Sequence, residues 1–161
     1  MQRDTSVVVT DVRGTPGYIA PEWLSHGTVG KKSDVYSLGM VMLEIVGGWR
    51  NVDLELIKNV ASTPDQDDWH FVSWAARKCE QGLNMELVDK RLQGDFIEQE
   101  VLRVVYSAFW CMQEDPGMRP YVSTLVQWLE GSDVKQPPFL DAAHGIACRN
   151  CCLSALQLIR P

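Results

Sequence analysis

Ser33-Asp34-Val35-Tyr36-Ser37-Leu38-Gly39-Met40-Val41-Met42-Leu43-Glu44-Ile45-Val46-Gly47-Gly48 is the stretch on which the fold turns. Val35, Leu38, Gly39, Met42, Leu43 and Val46 recur at i, i+3, i+4, i+7, i+8 and i+11, the spacing of one helix face. Ser33 stands where an N-cap hydroxyl accepts from free N–H groups, and Asp34 sets a negative charge against the positive end of the helix dipole. Gly47-Gly48 offers the left-handed exit. Only Tyr36, Ser37 and Glu44 interrupt the apolar surface, so the helix is expected to be largely buried, with neighbours on every side.

Outward from this helix, the chain continues to read as α. Residues 49–68 are polar, with Pro64 and the acidic cluster Asp65, Asp67 and Asp68, and read as a surface connection. Trp69 to Glu80 reads as a helix with Phe71, Val72, Trp74 and Ala75 inward, closing at Gly82. Met85 to Leu92 is short and ambiguous. Ile97 to Met112 places Val101, Val104, Val105, Ala108 and Met112 on one helical face. Asp115-Pro116-Gly117 is a turn, and Pro120 opens a last helix through Glu130 with Val122, Leu125, Val126 and Leu129 inward. Pro137-Pro138 closes the ordered region. Residues 1–32 are punctuated by Gly14, Pro16, Gly17 and Pro21 and read as an irregular loop, with a helical turn beginning at Pro21. No internal repeat or useful β alternation occurs, so the fold class is mainly α.

Composition bounds the function. With 161 residues, 45% hydrophobic and 22% charged, the chain is ordinary globular material rather than disordered or collagen-like. Lys plus Arg is 15 and Asp plus Glu is 21, giving 15 − 21 = −6. Such a balance lacks the clustered positive charge that nucleic-acid binding needs. The longest apolar run, Leu38 to Gly48, is 11 residues and contains Glu44, against about 20 for a membrane-spanning helix. Met1-Gln2-Arg3-Asp4-Thr5 has no apolar signal region. The five cysteines, Cys79, Cys111, Cys148, Cys151 and Cys152, are odd in number and unevenly spread, which fits a reducing compartment better than a disulfide framework.

Three motifs carry a family resemblance. Gly14-Thr15-Pro16-Gly17-Tyr18-Ile19-Ala20-Pro21-Glu22-Trp23 contains Ala-Pro-Glu behind a Gly/Pro loop. Ser33-Asp34-Val35-Tyr36-Ser37-Leu38-Gly39 follows about ten residues later, and Asp115-Pro116-Gly117-Met118-Arg119-Pro120 lies far downstream. Together and in this order they resemble the end of the activation segment, the central C-lobe helix and the last C-lobe signature of protein kinases. Leu43-Glu44-Ile45-Val46-Gly47-Gly48, Trp74-Ala75 and Phe109-Trp110-Cys111 resemble the plant receptor-like Ser/Thr kinases of the S-domain branch. The resemblance covers roughly residues 3–139; the last 22 residues match nothing in the family.

The resemblance implies roles for particular residues. Gly14, Thr15, Pro16, Gly17 and Tyr18 would form the substrate-docking loop, which shapes the pocket for the residue after the phosphoacceptor. Thr15 would contact the catalytic Asp and Lys of an intact kinase. Glu22 and Arg119 would form a structural ion pair tying the activation segment to the last helices, and Asp34 would anchor the catalytic loop from the central helix. Within this chain alone, helix capping is the reading left for Asp34. Thr5, Ser6 and Thr10 lie where activation loops are phosphorylated. A phosphate orders such a loop by pairing with Arg or Lys; the usual partner, the Arg of H-R-D, does not occur in this sequence, so solvated hydroxyls are the favoured reading and phosphosites the alternative. His144, Cys148, Cys151 and Cys152 could in principle ligate zinc, but the spacing is cramped; S-acylation of Cys151 or Cys152 and a tail without a role are the alternatives. The expected metal set is none.

Phosphoryl transfer needs groups over the nucleotide phosphates, metal-holding carboxylate and amide groups, and a base for the acceptor hydroxyl. G-x-G-x-x-G, the strand Lys, H-R-D with its Asn, and D-F-G do not occur in these 161 residues, and Gly94-Asp95-Phe96 has the letters in the wrong order. The chain therefore reads as a kinase that begins midway, with Met1 inside the activation loop. The expected fold is the helical C-lobe of a protein-kinase-like domain, with N-lobe and catalytic loop absent. It divides into an activation-segment remainder at 1–32, helical C-lobe at 33–139 and an unassigned Cys-containing tail at 140–161.

ATP and Mg would serve an intact parent, and no cofactor is expected in this chain. Protein substrate or a kinase partner is expected, with no nucleic acid, and membrane only through a parent receptor, on the cytoplasmic face of the plasma membrane. The chain alone would be soluble and cytoplasmic. The function implied is Ser/Thr phosphorylation in receptor signalling, with these 161 residues catalytically incompetent. The alternatives are a non-catalytic substrate- or partner-binding module and a non-functional truncated product.

Overall fold

A computed structural model describes residues 8–9, 11, 13–15, 17–50 and 71–137. Thr5, Ser6, Thr10 and Pro16, most of the acidic connection, and the tail with His144, Cys148, Cys151 and Cys152 lie outside the described residues.

The described chain opens with β1 (Val8–Val9), which pairs antiparallel with β2 (Thr28–Val29), Val8 opposite Val29 and Val9 opposite Thr28. The first 32 residues are thus not wholly irregular; two pairs of β-branched residues form a small ribbon that joins the two ends of the intervening segment. Between the strands lies α1 (Pro21–His26), with Pro21 in its first turn and Gly27 leaving in the left-handed conformation at φ 64°.

The central helix, α2, runs Lys31–Gly47, beginning two residues earlier than Ser33. Its N-cap is Gly30, which has no side chain to offer. Ser33, at the third helical position, reaches back instead, and its Oγ accepts from the Gly30 N–H at 3.2 Å, the returning half of a capping box. Gly48 ends the helix at φ 65°.

Val35, Tyr36, Gly39, Met40, Met42, Leu43 and Gly47 of α2 are buried, but Leu38, Val41 and Ile45 face outward, Ile45 at 73% exposure. The helix is therefore buried on one flank, not all round. Leu38, Val41 and Ile45 fall at i, i+3 and i+7 and make an exposed apolar stripe of the kind that drives association. Ile45→Glu is expected to reduce self-association of the purified chain in sedimentation velocity while leaving its helical circular dichroism intact; unchanged sedimentation would show that the stripe does not drive it.

The buried flank packs on α4 (Glu98–Cys111), whose Val105, Ser107, Ala108, Phe109 and Cys111 are buried. Gly39 lets the two backbones meet. A Cβ there would stand 2.7 Å from the Ala108 carbonyl oxygen and 2.8 Å from Cys111 Cβ. At the other end, α3 (Phe71–Glu80) lays Phe71 over Gly47, where a Cβ would fall 2.4 Å from the ring. Val72, Ala75, Ala76 and Cys79 are the buried residues of α3, while Phe71 and Trp74 are half-buried. The ambiguous stretch 84–92 is two 3-10 turns, Asn84–Leu87 and Lys90–Leu92, tied to α2 by the Asp89 N–H donating to the Val46 carbonyl at 2.9 Å.

A 3-10 turn at Pro116–Met118 leads to α5 (Val122–Leu129). Only Leu125 of α5 is buried; Val122, Val126 and Leu129 are exposed, contrary to their inward reading. The eight-residue helix meets α4 along one edge, with Trp128 against Trp110 at 6.5 Å between rings. The Trp110 indole N–H donates to the Lys135 carbonyl at 2.8 Å and pins the chain beyond α5. Among the described residues, no helix is long and apolar enough to cross a membrane.

Candidate functional site

The loop ahead of α1 is shaped by backbone. Gly14 at φ 154° and Gly17 at φ 88° adopt conformations that L side chains resist, and the Tyr18 N–H donates to the Thr15 carbonyl at 3.2 Å. Gly14 and Thr15 are exposed, Gly17 is buried and Tyr18 is half-buried.

Two polar residues of α2 hold this loop down. Ser37 Oγ donates to the Tyr18 carbonyl at 2.7 Å, and the Tyr18 hydroxyl donates to Glu44 Oε1. Ser37 and Glu44 are seven residues apart, two helical turns, so they share a face. Both break the apolar surface of α2, and the loop explains why. Burial, then the accepting Glu44 carboxylate and its charge, push the Tyr18 hydroxyl up to about 12. Tyr18 therefore stays a protonated donor at neutral pH.

Below the loop, Glu22 of α1 meets Arg119, whose side chain is 0% exposed against 15% for Glu22. Arg119 Nη1 and Nη2 donate to the two Glu22 oxygens, each at 2.8 Å. The remaining guanidinium donors go to the carbonyls of Gln113 at 2.7 Å, Lys32 at 2.8 Å and Glu114 at 3.1 Å. All five N–H groups thus have acceptors, the condition under which a buried guanidinium is tolerated. Ser33 Oγ adds a donor to Glu22 at 2.7 Å, and the Tyr36 ring lies under the guanidinium at 5.0 Å. Burial alone would raise the Glu22 carboxyl, but the hydrogen bonds from Arg119 and Ser33 outweigh it and hold the carboxyl below its ordinary value.

The structure thus brings Glu22 and Arg119 together and joins Tyr18 to α2, while Gly14 and Thr15 stand exposed. Asp34 lies exposed in the first turn of α2 and is not among the groups that hold the loop or Arg119. Ser33, Ser37 and Glu44 stand inside the quoted motifs, but the motifs do not give their bonds to Glu22 and Tyr18. Their signal was local: a lone carboxylate and hydroxyls inside an apolar helix require partners.

Cys79 and Cys111 are buried free thiols that burial pushes up to about 12, so they are inert as nucleophiles. Among the described residues, no group of three or more His, Cys, Asp or Glu is arranged to hold a metal ion.

The sequence profile of the protein kinase domain matches residues 1–127. Three G-type lectin S-receptor-like serine/threonine-protein kinases of Arabidopsis thaliana are similar to the chain. One is 44% identical over 140 residues, 86% of this chain and 15% of the relative. A second is 43% identical over 140 residues, 86% of this chain and 16% of the relative. A third is 42% identical over 137 residues, 84% of this chain and 17% of the relative. The chain thus spans no more than 17% of the length of these relatives.

Proposed function

This chain belongs to the protein kinase domain family, and from that premise we propose that it is the acceptor-docking half of a receptor-like protein Ser/Thr kinase. In this reading Gly14 to Tyr18 present the loop that receives a protein Ser or Thr. Residues 33–139 are its helical support, and the 161 residues transfer no phosphate by themselves. The observation that carries the reading is the fixing of the loop on α2 through Tyr18–Glu44 and Ser37–Tyr18. A docking loop must be rigid to position an acceptor hydroxyl, and here α2 supplies that rigidity. Glu22–Arg119 extends the support to the turn at residues 113–119, and Asp34 is left only a negative charge in the first turn of α2, where it suits the helix dipole. An intact parent would bring ATP, Mg and the catalytic base, and would place this region on the cytoplasmic side of a membrane receptor.

Incubation of the 161-residue chain with magnesium, radiolabelled ATP and casein is expected to give no label above a no-enzyme control. Labelled casein would contradict the proposed incompetence. Docking is tested separately on immobilised casein: Gly17→Asp, which forces a side chain into φ 88°, is expected to abolish binding by the folded chain. Equal binding by wild type and variant would remove the role of the loop.

A further inference from the structure

The last helix leaves part of its apolar surface open. Leu125 of α5 is buried and Trp128 half-buried, while Val122, Val126 and Leu129 stay 56%, 44% and 41% exposed. These three fall at i, i+4 and i+7, a stripe along one side of Leu125. We infer that this stripe is the docking surface for the chain's own segment Leu153 to Ile159, which lies outside the described residues.

The course of the chain argues for this occupant. The Trp110 indole N–H holds the Lys135 carbonyl, and the Trp110 ring lies against Trp128 of α5. The chain is therefore tied down beside α5 only six residues after Leu129, and 24 residues follow Pro137. The 15 residues from 138 to 152 can span up to about 50 Å. The eight residues of α5 cover about 12 Å, so linker length does not keep Leu153 to Ile159 from any part of the stripe. A segment carried on the same chain meets such a face at an effective concentration on the order of mM, which favours it over a second copy.

Chemistry matches the two surfaces. Leu153-Ser154-Ala155-Leu156-Gln157-Leu158-Ile159 has five apolar residues in seven and no charge. Val122, Val126 and Leu129 likewise offer only hydrocarbon. Bringing the two together removes both from water with no charge to desolvate. Leu38, Val41 and Ile45 of α2 form the competing face, whereas the tie at Lys135 lies at α5.

The probe is a fluorescein-labelled peptide of residues 153–160, read by anisotropy on the full 161-residue chain. Leu156→Asp disables the attached segment and leaves every described residue as it is. The peptide is expected to bind this variant saturably and the wild-type chain about ten-fold more weakly, because the wild-type segment already holds the stripe. Adding Val126→Asp to Leu156→Asp should abolish binding, and adding Ile45→Asp should leave it unchanged, each with the helical circular dichroism retained. The inference is overturned if wild type and Leu156→Asp bind the peptide equally, if Ile45→Asp weakens it as Val126→Asp does, or if no saturable binding occurs. It also fails if sedimentation velocity finds a wild-type dimer that Val126→Asp dissociates, since a second copy would then fill the stripe.

Discussion

Arg119→Leu is expected to destabilise the chain by roughly 3–5 kcal/mol, read as a lower urea midpoint, because it strands Glu22 among partly buried groups. Leucine also abandons the carbonyls of Lys32, Gln113 and Glu114, which accept from the guanidinium in the wild type. Glu22→Gln keeps the shape but leaves a cation in a side chain of 0% exposure without its counter-charge, and is expected to cost a comparable amount. Replacing both residues by apolar ones should cost less than the sum of the singles, since no charge is then stranded. An additive double mutant would show that the pair is not coupled.

The same pair sets an acid dependence. The Glu22 carboxyl is lowered in the folded state, so it binds protons more weakly than in the unfolded chain. Its contribution is present above the unfolded value and is lost as pH falls through the folded one. In Arg119→Leu the hydrogen bonds and charge of Arg119 are gone while burial and the weaker lowering by Ser33 remain, so this acid loss should shrink or reverse. Urea midpoints measured across the carboxylate range in both proteins decide it; parallel pH curves would contradict the assignment.

Gly39→Val is expected to cost about 3 kcal/mol, the upper part of the range for overpacking. Exchanging glycine inside a helix for a better helix former should by itself help by a few tenths to about 1 kcal/mol. The interface decides otherwise. A Cβ at Gly39 would stand 2.7 Å from a backbone carbonyl of α4 and 2.8 Å from both Cys111 Cβ and Met112 Cγ. Backbone cannot swing aside as the end of a lysine can, so α2 and α4 must separate along their main contact. Gly39→Ala should fall between wild type and Gly39→Val. A Gly39→Ala chain more stable than wild type in urea would mean the helices are less closely apposed than the structure has them.

The helical class was legible because α2, α3 and α4 carry apolar residues at helical spacing. The limits of that signal show in α2 and α5. Periodicity marks an apolar face but does not say whether a neighbour meets it, and so Leu38, Val122, Val126 and Leu129 were placed inward although they are exposed. Ser33 read as a cap because it is the right residue type; the cap proved to be Gly30, with Ser33 serving it from inside the helix. The two-residue strand pair is too short to leave an alternation in the sequence. Glu22 and Arg119 stood out only through their motifs, since their 97-residue separation lies beyond any local pattern. Tyr18–Glu44 was legible only as a need, a carboxylate in an apolar helix, with no sign of which residue met it.

The proposed function gives these 161 residues the support for a protein acceptor and leaves nucleotide and metal binding to groups outside them. Isothermal titration of Mg-ATP into the purified 161-residue chain tests it most directly. The account predicts heats indistinguishable from dilution into buffer; a saturable, stoichiometric isotherm would contradict it.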